Sequence, residues 1–159
     1  MVQDTLYSHQ QPNSDYCFIC GRKNPIGLKL VFFDNGNDEV MSTCVIPEHF
    51  NGYPGIVHGG IVSALLDEGV GRVSLIHDHH NLMMSVTLEV KFRQPVPTET
   101  ELRIIGKRVK MRGRLGQAVG KLYLPDGSVA AESKLNLASL PAHILKNNPE
   151  ALLGWQIDA

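Results

Sequence analysis

One helix sets the terms for this chain. Within residues 61–76 the apolar positions Val62, Leu65, Leu66, Gly69, Val70, Val73 and Ile76 recur at helical spacing, and the predicted helix runs from about 58 to 76. The remaining apolar segments are short and separated by turns. A strand starts after Asn24-Pro25-Ile26-Gly27, and Asn35-Gly36-Asn37 turns it into a second, EVMSTCVI (39–46), as a hairpin. Beyond the helix come MMSVTLEVKF (83–92), ELRIIGKRVKM (101–111), QAVGKLYL (117–124) and SVAAESKLNLASL (128–140). In the first of these, Val86, Leu88, Val90 and Phe92 alternate with Ser85, Thr87, Glu89 and Lys91, the period of a half-buried strand. One helix among turn-connected strands predicts an α+β fold, with an antiparallel sheet wrapped around that helix. Helices do not alternate with strands, which disfavours a doubly wound sheet. Residues 1–16 read as a polar arm ordered by packing on the rest, and residues 141–159 as a tail anchored by Trp155.

The chain holds 159 residues, 15 of them Lys or Arg and 16 Asp or Glu, for a net charge of −1. No global field favours nucleic acid or an anionic membrane, so any anion site must be local. Asp67, Glu68 and Arg72 interrupt the best candidate for a membrane span, and MVQDTLYSHQ lacks the basic start and apolar core of a secretion signal. Three cysteines make no disulfide framework. The expected setting is the cytoplasm, with reduced thiols.

The helix opens on His58-Gly59-Gly60 and carries two acids in its apolar run. Inside a helix each glycine costs roughly 1 kcal/mol relative to Ala. At an N-terminus glycines instead allow close approach to free backbone N–H groups at the positive end of the helix dipole. Glu68 has Arg72 at i+4, which predicts a surface ion pair and a structural role. Asp67 falls in a stripe of small residues, Ser63, Gly71 and Ser74, that lets a ligand or another backbone come close. An oxyanion donor and a carboxylate suggest acyl transfer to water. Gly59 and Asp67 lie eight residues apart, ~12 Å along the axis at 1.5 Å per residue. If they cooperate, each must come from a different subunit, with antiparallel helices across a two-fold axis. Enclosed at such a seam, Asp67 should have a raised pKa and so be a better base.

These residues carry a resemblance. HGGIVSALLDE, in which His58-Gly59-Gly60 is followed by six residues and Asp67, and SVTLEVKFRQPVP, which begins at Ser85, resemble the hotdog-fold acyl-CoA thioesterases of the phenylacetate-pathway and thioesterase-superfamily-member type. The likeness spans roughly residues 28–140, between an arm (1–27) and a tail (141–159). It implies a hotdog fold, a long helix wrapped by about six strands, in a homodimer or a dimer of dimers. It also implies hydrolysis of acyl-CoA without metal or cofactor. On that pattern Asp67 is the general base or the nucleophile, and the Gly59 N–H polarises the thioester carbonyl. Ser85 holds the water or steadies the acid, and His58 shapes the loop. Many relatives carry an Asn six residues before the His; that position is Gly52 here, and Asn51 is one place off. Gly60, Asn51 and Met84 are the further expected substrate contacts. Two other readings remain: a non-catalytic acyl-CoA sensor, and a hotdog hydratase or dehydratase.

Three polar clusters are assigned ordinary roles. Cys17-x-x-Cys20 is half of a zinc knuckle with no second half, and reads as a turn bearing two thiols; no metal is expected. His77-Asp78-His79-His80 reads as an exposed turn. The basic hairpin GKRVKMRGRLG (106–116) has few aromatics, against nucleic acid, and Arg108 and Arg112 are chosen in it to meet coenzyme A phosphates. As a strand, it would put Arg108 and Lys110 on one face.

Overall fold

The structure is a computed structural model that describes residues 5–147 and 154–158. Residues 1–4 of the arm and 148–153 and 159 of the tail lie outside the described residues. Seven strands form one antiparallel sheet: β1 His9–Gln10, β2 Phe33–Asp34, β3 Glu39–Val45, β4 Met83–Phe92, β5 Glu101–Arg112, β6 Leu115–Tyr123 and β7 Val129–Ser139. Their order is β1-β2-β3-β5-β6-β7-β4, which leaves β4 as one edge. Helix α1, Gly59–Gly71, lies on the inner face, and a short α2, Ala142–Asn147, follows the last strand. This is the hotdog architecture expected above, α+β around one long helix.

The differences from expectation are local. The arm contributes β1, whose His9 and Gln10 pair with Asp34 and Phe33, so the sheet has seven strands rather than six. Residues 28–32, expected as strand, instead pack on the cysteine turn, with the N–H groups of Leu28 and Leu30 donating to the carbonyls of Phe18 and Ile19. The α-helix stops at Gly71 and continues as a 3-10 turn over Arg72–Leu75, and His58 caps it rather than entering it. Trp155 anchors the tail as expected: its Nε1 donates to the His79 carbonyl at 2.9 Å.

Val62, Leu65, Leu66 and Val70 of α1 form a buried core with Phe32, Leu102, Ile104, Leu122, Leu135 and Leu137 of the sheet side. Glycines bring helix and sheet this close. A Cβ on Gly106 would sit 2.7 Å from the Gly69 carbonyl oxygen and 2.8 Å from the Val70 Cα; one on Gly120 would sit 2.0 Å from a Val70 methyl. Gly69 in turn faces Ile104, its absent Cβ 2.8 Å from a methyl. The contacts at Gly106 are backbone atoms, which cannot swing away. Gly106→Ala is therefore expected to cost about 1–3 kcal/mol of folding free energy, seen as a lower urea midpoint with an unchanged slope. An unchanged midpoint would contradict the close seating of the helix.

Candidate active site

The start of α1 uses its donors in a particular way. His58 is extended (φ −58°, ψ 136°), and its Nδ1 accepts the Gly60 N–H at 2.9 Å. The Ile61 and Val62 N–H groups both donate to the His58 carbonyl, at 2.9 and 3.1 Å. Of the first N–H groups that a helix leaves open, only that of Gly59 meets no acceptor among the described residues. Gly60, expected as a substrate contact, has its N–H occupied by the cap. An imidazole that accepts at Nδ1 carries its proton on Nε2 when neutral, so His58 can also donate.

Gly59 and His58 line a cleft of about 480 Å³ with Gly52, Tyr53, Phe92 and Gln94. Gly52 lies against the His58 ring, where its absent Cβ would be 3.4 Å from Cδ2; Asn51 pairs with Val57 instead and does not line the cleft. The ring of Phe92 covers Gly59 at 3.5 Å from the place of its missing Cβ. Gly52 stands where many relatives carry an Asn; Phe92 carries a signal as the last apolar residue of an alternating strand, and Tyr53 carries none.

Ser85 Oγ donates to Asp67 Oδ1 at 2.5 Å. Strict alternation would put Ser85 on the outer face with Thr87 and Glu89. The structure corrects this: β4 bulges between Ser85 and Thr87, so Ser85 opposes Leu137 and Thr87 opposes Asn136. Leu137 is buried and Asn136 exposed, and residues directly opposite in an antiparallel pair share a face. The extra residue, Val86, switches the parity of the strand and turns Ser85 inward onto the helix. Leu88, Val90 and Phe92 keep the inner face beyond it. Met84 is half exposed at the edge and faces neither Asp67 nor the cleft.

A second bulge, between Arg108 and Lys110 of β5, overturns the expectation that these two share a face. Arg108 opposes the buried Ala118, and its guanidinium donates to the Asn37 carbonyl at 2.8 Å. Lys110 and Arg112 line an outer groove of about 380 Å³ with Val86, Leu115, Gln117 and Asn136. The Glu68–Arg72 pair also differs from expectation. It forms at 2.8 Å, but Arg72 is only 3% exposed, so this is an interior pair and not a surface one. The Arg72 guanidinium also donates to the Pro12 carbonyl and to Asn13 Oδ1, and it stacks 4.2 Å above the Phe32 ring.

Next to Glu68 sit the two cysteines of the arm, with one oxygen of that carboxylate 3.9 Å from Cys17 Sγ. The Cys17 thiol donates to Glu68 Oε2, and the closeness of the two sulfurs holds the Cys20 thiol down at about 6 while it and burial push the Cys17 thiol well up. Cys44 stands apart in β3, where burial pushes its thiol up to about 12.

Comparison with known proteins agrees with this fold. A sequence profile described as thioesterase superfamily matches residues 54–131, from the loop before α1 into β7. The chain is 26% identical over 147 residues to the acyl-coenzyme A thioesterase THEM4 of Bos taurus, covering 91% of this chain and 57% of that one. The Mus musculus protein of the same name is 24% identical over 102 residues, 64% of this chain and 40% of that one. The chain thus spans about half the length of these curated relatives. The E. coli PaaI protein of the phenylacetic acid degradation operon superposes with a TM-score of 0.63 at 14% identity, over 72% of this chain and 81% of that one. Zebrafish thioesterase superfamily member 2 does so with 0.66 at 15%, over 74% and 86%. The capped His-Gly-Gly helix start, the inward Ser85 and much of the sheet around α1 lie within residues 54–131, the part of the chain that matches the thioesterase superfamily.

Proposed function

We propose that this protein hydrolyses acyl-CoA thioesters to the free acid and coenzyme A, with each active site shared by two chains. The observation that carries the reading is the Ser85–Asp67 hydrogen bond. A carboxylate half-buried on a helix and fixed by a hydroxyl from an inward-turned strand is a group set to act on water or on a carbonyl. The relatives named acyl-coenzyme A thioesterase support the substrate class.

Geometry argues for two chains. The open Gly59 donor and Asp67 are eight residues apart on one helix, so a single carbonyl cannot touch both within one chain. β4 supplies the means to bring two chains together. It is an edge strand of ten residues, and Met84, Val86 and Phe92 on it are 46%, 63% and 55% exposed. A long apolar edge seeks another strand. Antiparallel pairing of two β4 edges about a two-fold axis sets the two α1 helices side by side and antiparallel, with Gly59 of one near Asp67 of the other. In the mechanism, the thioester carbonyl oxygen accepts from the Gly59 N–H, which stabilises the tetrahedral oxyanion. Asp67 of the other chain takes the proton from the attacking water, or attacks the carbonyl itself, and Ser85 holds the carboxylate in line. The Nε2–H of His58 is a second donor at the cleft. Lys110 and Arg112 are the cations available for the phosphates of coenzyme A, in place of Arg108, whose guanidinium is already engaged.

A thiol-release assay over a panel of acyl-CoA esters tests this. Asp67→Asn should remove turnover by at least about 10³-fold, within the span of general-base losses, while the oligomer survives. Ser85→Ala should lose less, roughly tenfold. Gly59→Pro is the informative third variant. Proline is well tolerated at the first helical position, and the extended His58 before it fits. This variant deletes one N–H and should lower kcat about 10²–10³-fold. Full activity of Asp67→Asn would remove the acid from the mechanism; binding of acyl-CoA without release would make the protein a sensor, and hydration of an enoyl-CoA a hydratase. Charge reversal at Lys110 and Arg112 together should raise KM roughly tenfold and leave kcat similar, as expected for lost ground-state contacts to charge. An unchanged KM would exclude that groove.

A further inference from the structure

The turn Cys17–Gly21 packs against α1 at Glu68, one residue on from Asp67. Cys17 Sγ, Cys20 Sγ and a Glu68 carboxylate oxygen all lie within 4.8 Å of one another. The turn is built around the first sulfur: the backbone N–H groups of Ile19 and Cys20 approach Cys17 Sγ at 3.3 and 3.5 Å, and the Gly21 N–H closes onto the Cys17 carbonyl at 2.8 Å. A side chain at Gly21 is impossible there, since its Cβ would lie 2.3 Å from that oxygen. Ser14 Oγ stands 3.9 Å from Cys20 Sγ and accepts the Cys17 N–H at 3.2 Å. On the other side, Arg72 holds Glu68 Oε1 at 2.8 Å and leaves Oε2 toward the sulfurs.

We propose that Cys17, Cys20 and Glu68 form a binding site for a thiophilic divalent cation of the zinc class, with a fourth position left to water. Two sulfurs and a carboxylate oxygen are a zinc donor set, at about 2.3 Å for sulfur and 2.0–2.2 Å for oxygen. A tetrahedron of those lengths needs donors roughly 3.5–3.8 Å apart, and Cys17 Sγ is already 3.9 Å from Glu68 Oε2. The surrounding groups supply outer support of the usual kind, with N–H donors to the thiolate and a cation orienting the carboxylate. Charge closes as well. Two thiolates and a carboxylate against a divalent ion leave one negative charge, which the buried Arg72 guanidinium balances. A disulfide pair needs no third donor, and here the third donor is held in place from behind. Bound metal would pin the arm to α1 beside the proposed catalytic acid. The site does not depend on the thioesterase reading, because Cys17, Cys20 and Glu68 have no role in that mechanism.

The test uses the full chain purified under reducing conditions without chelator. Titration with Co2+ should give one equivalent bound, with a thiolate-to-cobalt charge-transfer band that Zn2+ abolishes. Cys17→Ser and Cys20→Ser should each lose the band, and Glu68→Gln should weaken binding roughly tenfold or more, while Cys44→Ser behaves as the unaltered chain. If the cysteine variants do not fold, the unaltered chain still decides: Zn2+ should protect Cys17 and Cys20 from alkylation, read by mass spectrometry at each residue. Cobalt binding without the band, binding that survives loss of both sulfurs, or a Cys17–Cys20 pair left equally reactive with Zn2+ present would each overturn the proposal.

Discussion

The seating of α1 on the sheet governs the rest of this structure. Gly69, Gly106 and Gly120 clear away the side chains that would hold helix and sheet apart, and Val70 enters the space they leave. Leu65, Leu66 and Val62 are then fully buried. That depth fixes the helix against the strands, and with it the place of Asp67 beside β4. A helix standing one methyl group further out would carry its carboxylate away from Ser85. The distance of 2.5 Å between the two oxygens has no room for such a shift. Packing in the core and geometry at the candidate site are one constraint.

At both ends of that helix a polar device does a structural task and leaves something over. At the N-terminus, the His58 ring takes one N–H and the His58 carbonyl takes two, which isolates the Gly59 donor. Toward the C-terminus, Arg72 is buried in a cage of Phe32, Pro12, Asn13 and Glu68. Burying a guanidinium is costly unless its donors are met, and here the arm and the helix meet them. Arg72 thereby fastens residues 12–13 to α1 and turns Glu68 toward the cysteines. The arm thus takes part in the same packing as the sheet, with Ile19 and Cys20 inside the common core.

Much of this was legible in the sequence, for reasons that differ by element. The helix, the five longer strands and the turns between them follow from period and from Asn, Gly and Pro placement, because burial on one face imposes a rhythm that no neighbour needs to explain. The two bulges did not show. A bulge is one residue without a partner, and the sequence around Val86 or Val109 alternates as an unbroken strand would. For this reason alternation alone groups Ser85 with Thr87 and Glu89, although the family pattern has it hold the water or steady the acid, and groups Arg108 with Lys110. The burial of Arg72 was hidden as well. Spacing of i+4 to Glu68 gives a pair but not its depth, which is set by Phe32 and by arm residues sixty positions away. The cysteine pair was visible as a motif, but its third donor comes from the middle of a helix, a contact across the fold that no local spacing encodes.

The central claim is that Gly59 of one chain and Asp67 of another act on the same carbonyl. Mixed dimers address it directly, formed from Asp67→Asn chains and Gly59→Pro chains, each expected to be at least about 10²-fold impaired when paired with itself. In a mixed dimer one site combines the intact Gly59 of the first chain with the intact Asp67 of the second, and the other site has neither. Sites shared between chains predict that mixing restores thioester hydrolysis to about half the unaltered rate per dimer. No recovery in dimers shown to contain both chains would contradict the account and return both groups to a single chain.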